Sequence, residues 1–134
     1  MGATCRASLI CRSRSAARVV TREAVDELTG RGYPVYYGAL GENFTTSGLD
    51  RRALRGGQRF RIGAEAVVEL TRPRPPCRTL DIYGATIGAE IWDRMIKEGN
   101  IKSPRWGMSG FYASVVVGGL VLPGAPILPL DQFA

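Results

Sequence analysis

The chain has 134 residues, 45% of them hydrophobic, and it contains 17 glycines and 8 prolines. This length suits one domain, and the turn-rich composition excludes a helical bundle and a disordered chain. The formal net charge is +6 and there is no histidine, which removes the usual ligand of zinc and the usual base of a serine-type catalytic site.

Positive charge is concentrated at the start of the chain, where no acid accompanies it. The four arginines concerned are Arg6, Arg12, Arg14 and Arg18. Because residues 1–17 show neither helical nor strand periodicity, we predict a disordered or poorly specified basic lead-in, followed by a domain over residues 18–134. Such an end is most often solvated; nucleic-acid binding is the alternative, and we do not expect it.

We expect a cytoplasmic protein that does not associate with membranes. The start, MGATCRASLICRSRS, lacks the apolar core of a signal peptide. The most apolar stretch, residues 115–130, is interrupted by glycines and prolines. The three cysteines are odd in number and do not have the spacing of a metal finger.

The first predicted element is a short helix over residues 22–29. Thr21 is placed as its N-cap, Val20 and Ala24 as a hydrophobic staple, and Gly30 as its stop. The following segment, YYGALGENFTTSGL, is punctuated by glycines and has too little periodicity for a long element.

Two strands are predicted next, over residues 58–62 and 66–71, with a turn at Gly63 between them. The first alternates polar and apolar residues, and the second is rich in β-branched residues. The prolines of RPRPPC cannot donate ladder hydrogen bonds, so a stiff loop should follow.

The last predicted elements are a helix over residues 86–98, ended by Gly99, and a hairpin. The hairpin would pair residues 111–117 with residues 120–127 around two glycines. Four strands and two short helices without βαβ alternation predict a mainly β domain, either a barrel or a sandwich.

One candidate site lies between Gly41 and Leu49, where glycines bracket hydroxyl, amide and carboxylate groups. Several hydrogen-bonding groups could converge there on a polar ligand. The alternative is an Asx- or ST-turn loop that satisfies its own backbone.

A second candidate site is residues 72–78, RPRPPCR, where prolines hold the thiol of Cys77 among three guanidinium groups. Nearby positive charge lowers the pKa of a thiol and favours the thiolate, which is a nucleophile and a soft metal ligand. Arginines also bind phosphate in bidentate fashion. The alternative is a buried, inert cysteine beside solvated arginines. Cys5 and Cys11 lie in the lead-in, and we expect no specific role for them.

Three segments resemble the MOSC domain family in order and spacing, over about residues 19–128. They are GENFTTSGL, GQRFRIGAEAVVELTRPRPPC and WGMSGFYASVVVGGLVLPGAPI. The small bacterial branch associated with hydroxylaminopurine resistance is the most similar. This resemblance implies a MOSC-like β-barrel with two or more short helices. It also implies an N-terminally truncated or divergent member that lacks the opening strands, with an unpaired barrel edge that favours a homodimer.

The resemblance further implies that the domain binds the molybdenum cofactor in its molybdopterin form. Cys77 would be the metal ligand and the catalytic or sulfur-carrying residue, and Arg72 and Arg74 would face the anionic cofactor. The adjoining wall would consist of Gly41, Glu42, Asn43, Thr45 and Thr46. The family is also associated with pyridoxal phosphate binding.

Two functions are compatible with this site. The first is an oxidoreductase component that reduces N-hydroxylated compounds such as hydroxylamino-purines. It would need a separate flavin or iron–sulfur electron donor, because the chain has no cluster ligands or nucleotide fingerprint. The second is a non-catalytic carrier of sulfur or cofactor on Cys77. Both need the same thiol and the same anion-binding residues, so the sequence does not separate them.

Overall fold

A computed structural model describes residues 2–6 and 9–130, with only the backbone described for residues 9–11. Its strands are β1 (Ala3–Cys5), β2 (Leu9–Cys11), β3 (Ala16–Thr21), β4 (Phe44–Ser47), β5 (Arg59–Ile62), β6 (Ala66–Pro73), β7 (Phe111–Val117), β8 (Gly119–Val121) and β9 (Pro126–Leu130). Its helices are α1 (Arg22–Gly30), α2 (Ile87–Ile91) and α3 (Arg94–Lys97), with 3₁₀ helices at Arg51–Ala53 and Arg78–Tyr83. No helix in the described part of the chain is long and apolar enough to cross a bilayer.

Seven strands form a closed barrel in the order β1-β4-β3-β7-β6-β5-β9. The barrel closes through β1, which pairs antiparallel with both β4 and β9. The predicted mainly β barrel is therefore confirmed. The expected unpaired barrel edge is wrong, because the first residues of the chain supply the closing strand.

The predicted disorder of residues 1–17 needs correction where the structure describes them. Strands β1 and β2 and the first residues of β3 lie there, and the predicted boundary at residue 18 falls inside β3. Ala3 and Cys5 are buried in the barrel. Two of these strands have only three residues each, which is too short for alternation to be recognised.

Strands β3 and β4 are parallel neighbours, with Val19 opposite Phe44 and Thr21 opposite Thr46. Helix α1 connects them, so the chain contains a βαβ crossover, contrary to the predicted absence of this motif. The segment of residues 41–49, for which no long element was predicted, thus contains a short strand. All of its first three residues are buried, and a strand covered on both faces does not alternate.

Helix α1 begins as predicted, because the Thr21 hydroxyl accepts a hydrogen bond from the Ala24 N–H at 3.1 Å. The helix includes Gly30, which was predicted to stop it. The chain instead turns at Gly32, whose φ of +97° is a conformation that glycine adopts readily.

The buried side chains form two clusters. One fills the barrel and includes Phe44, Phe60 and Phe111. The other lies outside it, between α1, α2 and the barrel wall, and includes Leu28 and Ile91. Burying a large aliphatic or aromatic side chain contributes about 1.5–3 kcal/mol, so this second cluster holds the crossover helix firmly against the barrel.

The predicted hairpin of residues 111–117 and 120–127 is not formed. Strand β7 lies between β3 and β6, whereas β8 pairs with β2 in a separate two-stranded sheet. A side chain at Gly119 would approach the Glu65 Cβ at 3.1 Å and the Ala66 nitrogen at 3.2 Å. The second glycine therefore lets the chain pass close to the start of β6 instead of reversing it.

The predicted helix over residues 86–98 is divided into α2 and α3. The break occurs at Trp92 and Asp93, which both have extended φ values of −148°. The Asp93 carboxylate accepts a hydrogen bond from the Ile96 N–H at 2.9 Å and starts a new helix. Side-chain capping at Asp93 thus overrides the helical spacing of the apolar residues. Gly99 ends α3 as predicted, with a φ of +78°.

Candidate functional site

The arginine–proline segment runs off the end of β6, which confirms the predicted strand and extends it by two residues. Pro73 is still paired with Phe111, and the Arg74 N–H donates to the Gly110 carbonyl at 3.0 Å. The two prolines that follow have no N–H to donate, so the chain leaves the sheet. This exit brings Cys77 to the N-terminal end of the 3₁₀ helix Arg78–Tyr83.

Outward-facing side chains from three neighbouring strands lie beside this exit. Arg18 of β3 is opposite Tyr112 of β7, and Tyr112 is opposite Arg72 of β6. Val19, Phe111 and Ala113, which adjoin Arg18 and Tyr112 in sequence, are in the barrel core, so the side chains of Arg18 and Tyr112 point outward. The Arg72 guanidinium lies over the Tyr112 ring, 4.7 Å from its centroid. We call Arg18, Arg72, Arg74 and Tyr112 the arginine face.

Arg74 is the buried member of the arginine face, with a relative exposure of 6%. Its Nε and Nη1 atoms have no hydrogen-bond partner within the described chain. Burial lowers the pKa of the guanidinium, and the nearby Arg18 lowers it further, while Tyr112, Glu42 and Cys77 act in the opposite direction. Because arginine remains charged in proteins, Arg74 is a buried cation with free donors.

Gly41 lies against two guanidinium groups of the arginine face. A Cβ atom at Gly41 would be 3.8 Å from Arg18 Nη1 and 3.8 Å from Arg74 Nη2. The φ of Gly41 is +79°, which disfavours any other residue. A side chain at this position would crowd both cations.

Glu42 follows Gly41 in the sequence and places a carboxylate near Arg74. Its Oε2 accepts hydrogen bonds from the Gly38 N–H at 3.0 Å and the Thr45 hydroxyl at 2.9 Å. Its Oε1 is buried without a partner in the described chain. The carboxylate partly opposes the lowering of the Arg74 pKa by burial, and it forms no ion pair with Arg74. Thr45 therefore positions Glu42, and Glu42 has one oxygen left to accept a hydrogen bond.

Asn43 and Thr46, the other predicted wall residues, have different surroundings. The Asn43 side chain accepts from the Arg18 N–H at 2.8 Å, and the Asn43 N–H donates to the Arg18 carbonyl at 2.9 Å. Asn43 thus fixes the backbone that carries Arg18. Thr46 lies inside the barrel with Phe60 and Ile62, away from the arginine face. The structure does not bring Thr46 to the candidate site.

Cys77 is exposed beside this cluster. The pKa of its thiol is lowered first by hydrogen bonds from the side chain and the backbone N–H of Thr79, then by the Arg78 N–H and the charge of Arg74. The predicted direction is therefore present, but hydrogen bonds contribute more to it than arginine charge. Cys5 is buried in the barrel, and the Cys11 side chain lies outside the described residues.

Sequence reasoning missed Arg18 and Tyr112. Arg18 was counted among the charges of a basic lead-in, because β3 was not recognised. Tyr112 lies in a predicted strand, where it shares its side with polar Ser114, so alternation could have placed it outward. Within the described residues, no cluster of three or more histidine, cysteine or acidic residues could hold a metal ion.

Fold and site together define a small β-barrel domain that places one exposed thiol beside a buried arginine. The model of the MOSC domain matches residues 2–128, and the chain belongs to the MOSC domain family. This confirms the predicted family. Because the match begins at residue 2, strands β1 and β2 are part of the domain.

Known proteins that are similar to this chain include one curated relative and two solved structures. The uncharacterized protein YflK of Bacillus subtilis (strain 168) is 37% identical over 99 residues, which cover 74% of this chain and 40% of YflK. The crystal structure of YiiM from Geobacillus stearothermophilus has 28% identity and a TM-score of 0.63, over 86% of this chain and 54% of that one. YiiM from Escherichia coli, at 21% identity, matches in fold with a TM-score of 0.67 over 99% of this chain and 70% of that one. The chain thus spans about half or less of the length of the first two relatives.

Proposed function

We propose that the arginine face binds the molybdenum cofactor in its molybdopterin form, with Cys77 as the protein ligand of the metal. The observation that carries this proposal is the buried guanidinium of Arg74, whose Nε and Nη1 lack partners in the described chain. Unpartnered N–H donors on a buried guanidinium suit the oxygens of a phosphate or another oxoanion. The cofactor is an anion of this kind, so the residues fit it.

The residues of the site would divide the work of holding the cofactor. Arg74 and Arg18 would neutralise its negative charge, and the bare backbone of Gly41 leaves both guanidinium groups uncrowded. Glu42 Oε1, buried and free to accept, suits an N–H donor such as those of a pterin ring. Cys77, with its lowered pKa, would provide a thiolate.

The reaction that we propose is reduction of N-hydroxylated compounds such as hydroxylamino-purines. Converting an N-hydroxyl group to an N–H group consumes two electrons and two protons and releases water. The bound cofactor would supply oxygen-atom transfer at molybdenum, and a separate flavin or iron–sulfur protein would supply the electrons. Because Cys77 is exposed, a small substrate could reach this edge of the site.

A second candidate function is a carrier that holds sulfur or cofactor on Cys77 for another protein. The exposure of Cys77 favours it, because a thiol that hands over a group must be reached by its acceptor. Pyridoxal phosphate has less support, because it is usually held through a lysine. The only lysines, Lys97 and Lys102, are not part of the arginine face.

Elemental analysis of protein from a cofactor-producing host tests the binding proposal. The unaltered protein should contain stoichiometric molybdenum, and Arg74→Met and Cys77→Ser should lose most of it. Arg61→Met is the matched control, since Arg61 is an exposed arginine of β5 outside the arginine face. A molybdenum-free protein from that host, or full occupancy in the Arg74→Met variant, would contradict the proposal.

Loaded protein then separates the two functions. With a chemical reductant in place of the electron donor, an oxidoreductase should convert a hydroxylamino-purine to the aminopurine over many turnovers. A carrier should show no turnover but should release sulfur or cofactor to an acceptor protein in a Cys77-dependent manner.

A further inference from the structure

A groove of about 520 Å³ opens between the end of β6 and helix α3. Small-molecule sites commonly enclose about 300–1,000 Å³, so this groove has room for a ligand of ordinary size. Its principal lining residues are Arg72, Pro73, Pro75, Trp92, Ile96 and Lys97. Gly41, Arg74 and Cys77 are not among the residues that line it.

Trp92 is the aromatic residue of this groove, and the break between α2 and α3 puts it there. Its extended backbone interrupts the helix, and its side chain packs partly against the barrel core. Trp92 also lines the groove, together with Pro73 and Pro75. Trp106, the other tryptophan, is buried, with its indole N–H donating to the Leu54 carbonyl at 2.8 Å. Trp92 is thus the tryptophan available to stack on a planar ligand.

Two cations line the groove, and no acid does. Arg72 is held over the Tyr112 ring. Lys97 is exposed and forms no ion pair with any described residue.

The neighbouring acids are already engaged with other groups. Glu98 pairs with Arg94 at 3.2 Å, and Asp93 accepts hydrogen bonds from Ile96 and Ser103. The groove therefore has a net positive charge beside apolar lining residues.

We propose that this groove binds a planar aromatic ring that carries a phosphate group. The ring stacks on Trp92 between the prolines and Ile96, and the phosphate pairs with Arg72 and Lys97. Aromatic stacking on tryptophan and pairing of phosphate with two cations are complementary to the two parts of such a ligand. Arg72 is shared by the groove and the arginine face, and the other lining residues of the groove take no part in the proposed cofactor site.

Fluorescence titration with adenosine monophosphate tests this site. Saturable quenching of tryptophan emission is expected, and it should be absent in Trp92→Phe, in which only buried Trp106 emits. Adenosine should bind at least about tenfold more weakly, because it lacks the charge-assisted hydrogen bonds of the phosphate. Equal affinities for the nucleotide and the nucleoside, or no saturation, would overturn the proposal.

The two lysines provide a matched pair that leaves the packing of Trp92 intact. Lys97→Ala should weaken binding about fivefold, as expected for one partly solvated ion pair. Lys102→Ala, outside the groove, should bind normally. Arg74→Met should also bind the nucleotide normally even though it loses molybdenum, so this proposal and the proposed function fail separately. Equal binding by the two lysine variants would rule out the assigned phosphate position.

Discussion

Arg74 is a buried charged residue whose Nε and Nη1 atoms have no hydrogen-bond partner in the described chain. Unsatisfied buried donors cost about 1–3 kcal/mol each. We therefore expect Arg74→Met to raise the free energy of unfolding of the cofactor-free protein, by about 1 kcal/mol. Urea denaturation of protein from a host without the cofactor measures this change.

Arg72→Met is the control, since Arg72 is exposed and stacks on Tyr112. Its loss should lower stability by no more than about 1 kcal/mol, the size of an exposed cation–π contact. A clear loss of stability in Arg74→Met would mean that its guanidinium serves the fold and not a ligand.

The acidity of Cys77 comes mainly from Thr79. Because its pKa is lowered, more of the thiol is thiolate at a given pH, and alkylation should stay fast at pH values where an ordinary thiol has slowed. Thr79→Val removes the side-chain donor but keeps the shape of the residue. It should move the midpoint of the pH–rate profile upward, and further than Arg74→Met does.

Mass spectrometry of the Cys77 peptide gives this profile, and the same protein unfolded in urea gives the reference midpoint. Buried Cys5 should be protected in the folded protein. Identical midpoints in folded and unfolded protein would show that Cys77 is an ordinary thiol.

Gly110 immediately precedes β7 and lies close to both β3 and the end of β6. Gly110 has a φ of +85°, and a Cβ there would lie 2.4 Å from the Val19 carbonyl oxygen. That oxygen belongs to the barrel backbone and cannot move aside cheaply. Gly110→Ala should therefore cost about 3 kcal/mol or more, from the steric clash together with the positive φ.

Gly99→Ala is the matched comparison for Gly110→Ala. Gly99 has a similar φ of +78° but nothing within 4 Å of its Cβ position. Its cost should be limited to the left-handed conformation, about 1–2 kcal/mol. Thermal or denaturant unfolding of both proteins gives the difference, and equal costs would refute the close approach at Gly110.

Elements with a clear local signal could be predicted from the sequence. Strands β5 and β6 follow their alternation, and the Thr21 cap starts α1 where expected. Strands β1, β2 and β8 have three residues each, and the first three residues of β4 are all buried. Their existence depends on pairing with distant strands, which no local pattern reports.

The candidate site was predictable to a similar extent. The motifs identified Gly41, Glu42, Arg74 and Cys77, which the structure brings together. The motifs could not identify Arg18 as a site residue, because strand β3 has no recognisable pattern. They also could not exclude Thr46, because the sequence does not show which face of β4 points into the barrel. The pairing register of the barrel strands decides which side chains of each strand lie on the same surface.

For the whole molecule, closure of the barrel depends on β1. Cys5 is fully buried there, and its N–H donates to the Ala125 carbonyl at 2.9 Å. Cys5→Asp would bring a carboxylate into the barrel and should lower stability by at least about 3 kcal/mol. Thr4→Asp, on the outer side of the same strand, should cost less than about 1 kcal/mol.

Denaturant unfolding and size-exclusion chromatography check both variants of β1. The Cys5→Asp protein should also self-associate, because opening β1 frees the edges of β4 and β9. Similar stabilities of the Cys5→Asp and Thr4→Asp proteins would show that β1 is not packed into the barrel.

The cross-strand ladder of Arg18, Tyr112 and Arg72 joins the early, late and middle parts of the chain. During synthesis the ladder cannot exist until β7 has left the ribosome and docked between β3 and β6. An anionic ligand would therefore bind to this ladder only after the barrel has folded. Once bound, the ligand would favour the closed barrel by mass action, by about 1.4 kcal/mol for each tenfold excess over its dissociation constant. A supply of the ligand would then lower the fraction of the domain that is unfolded at any time.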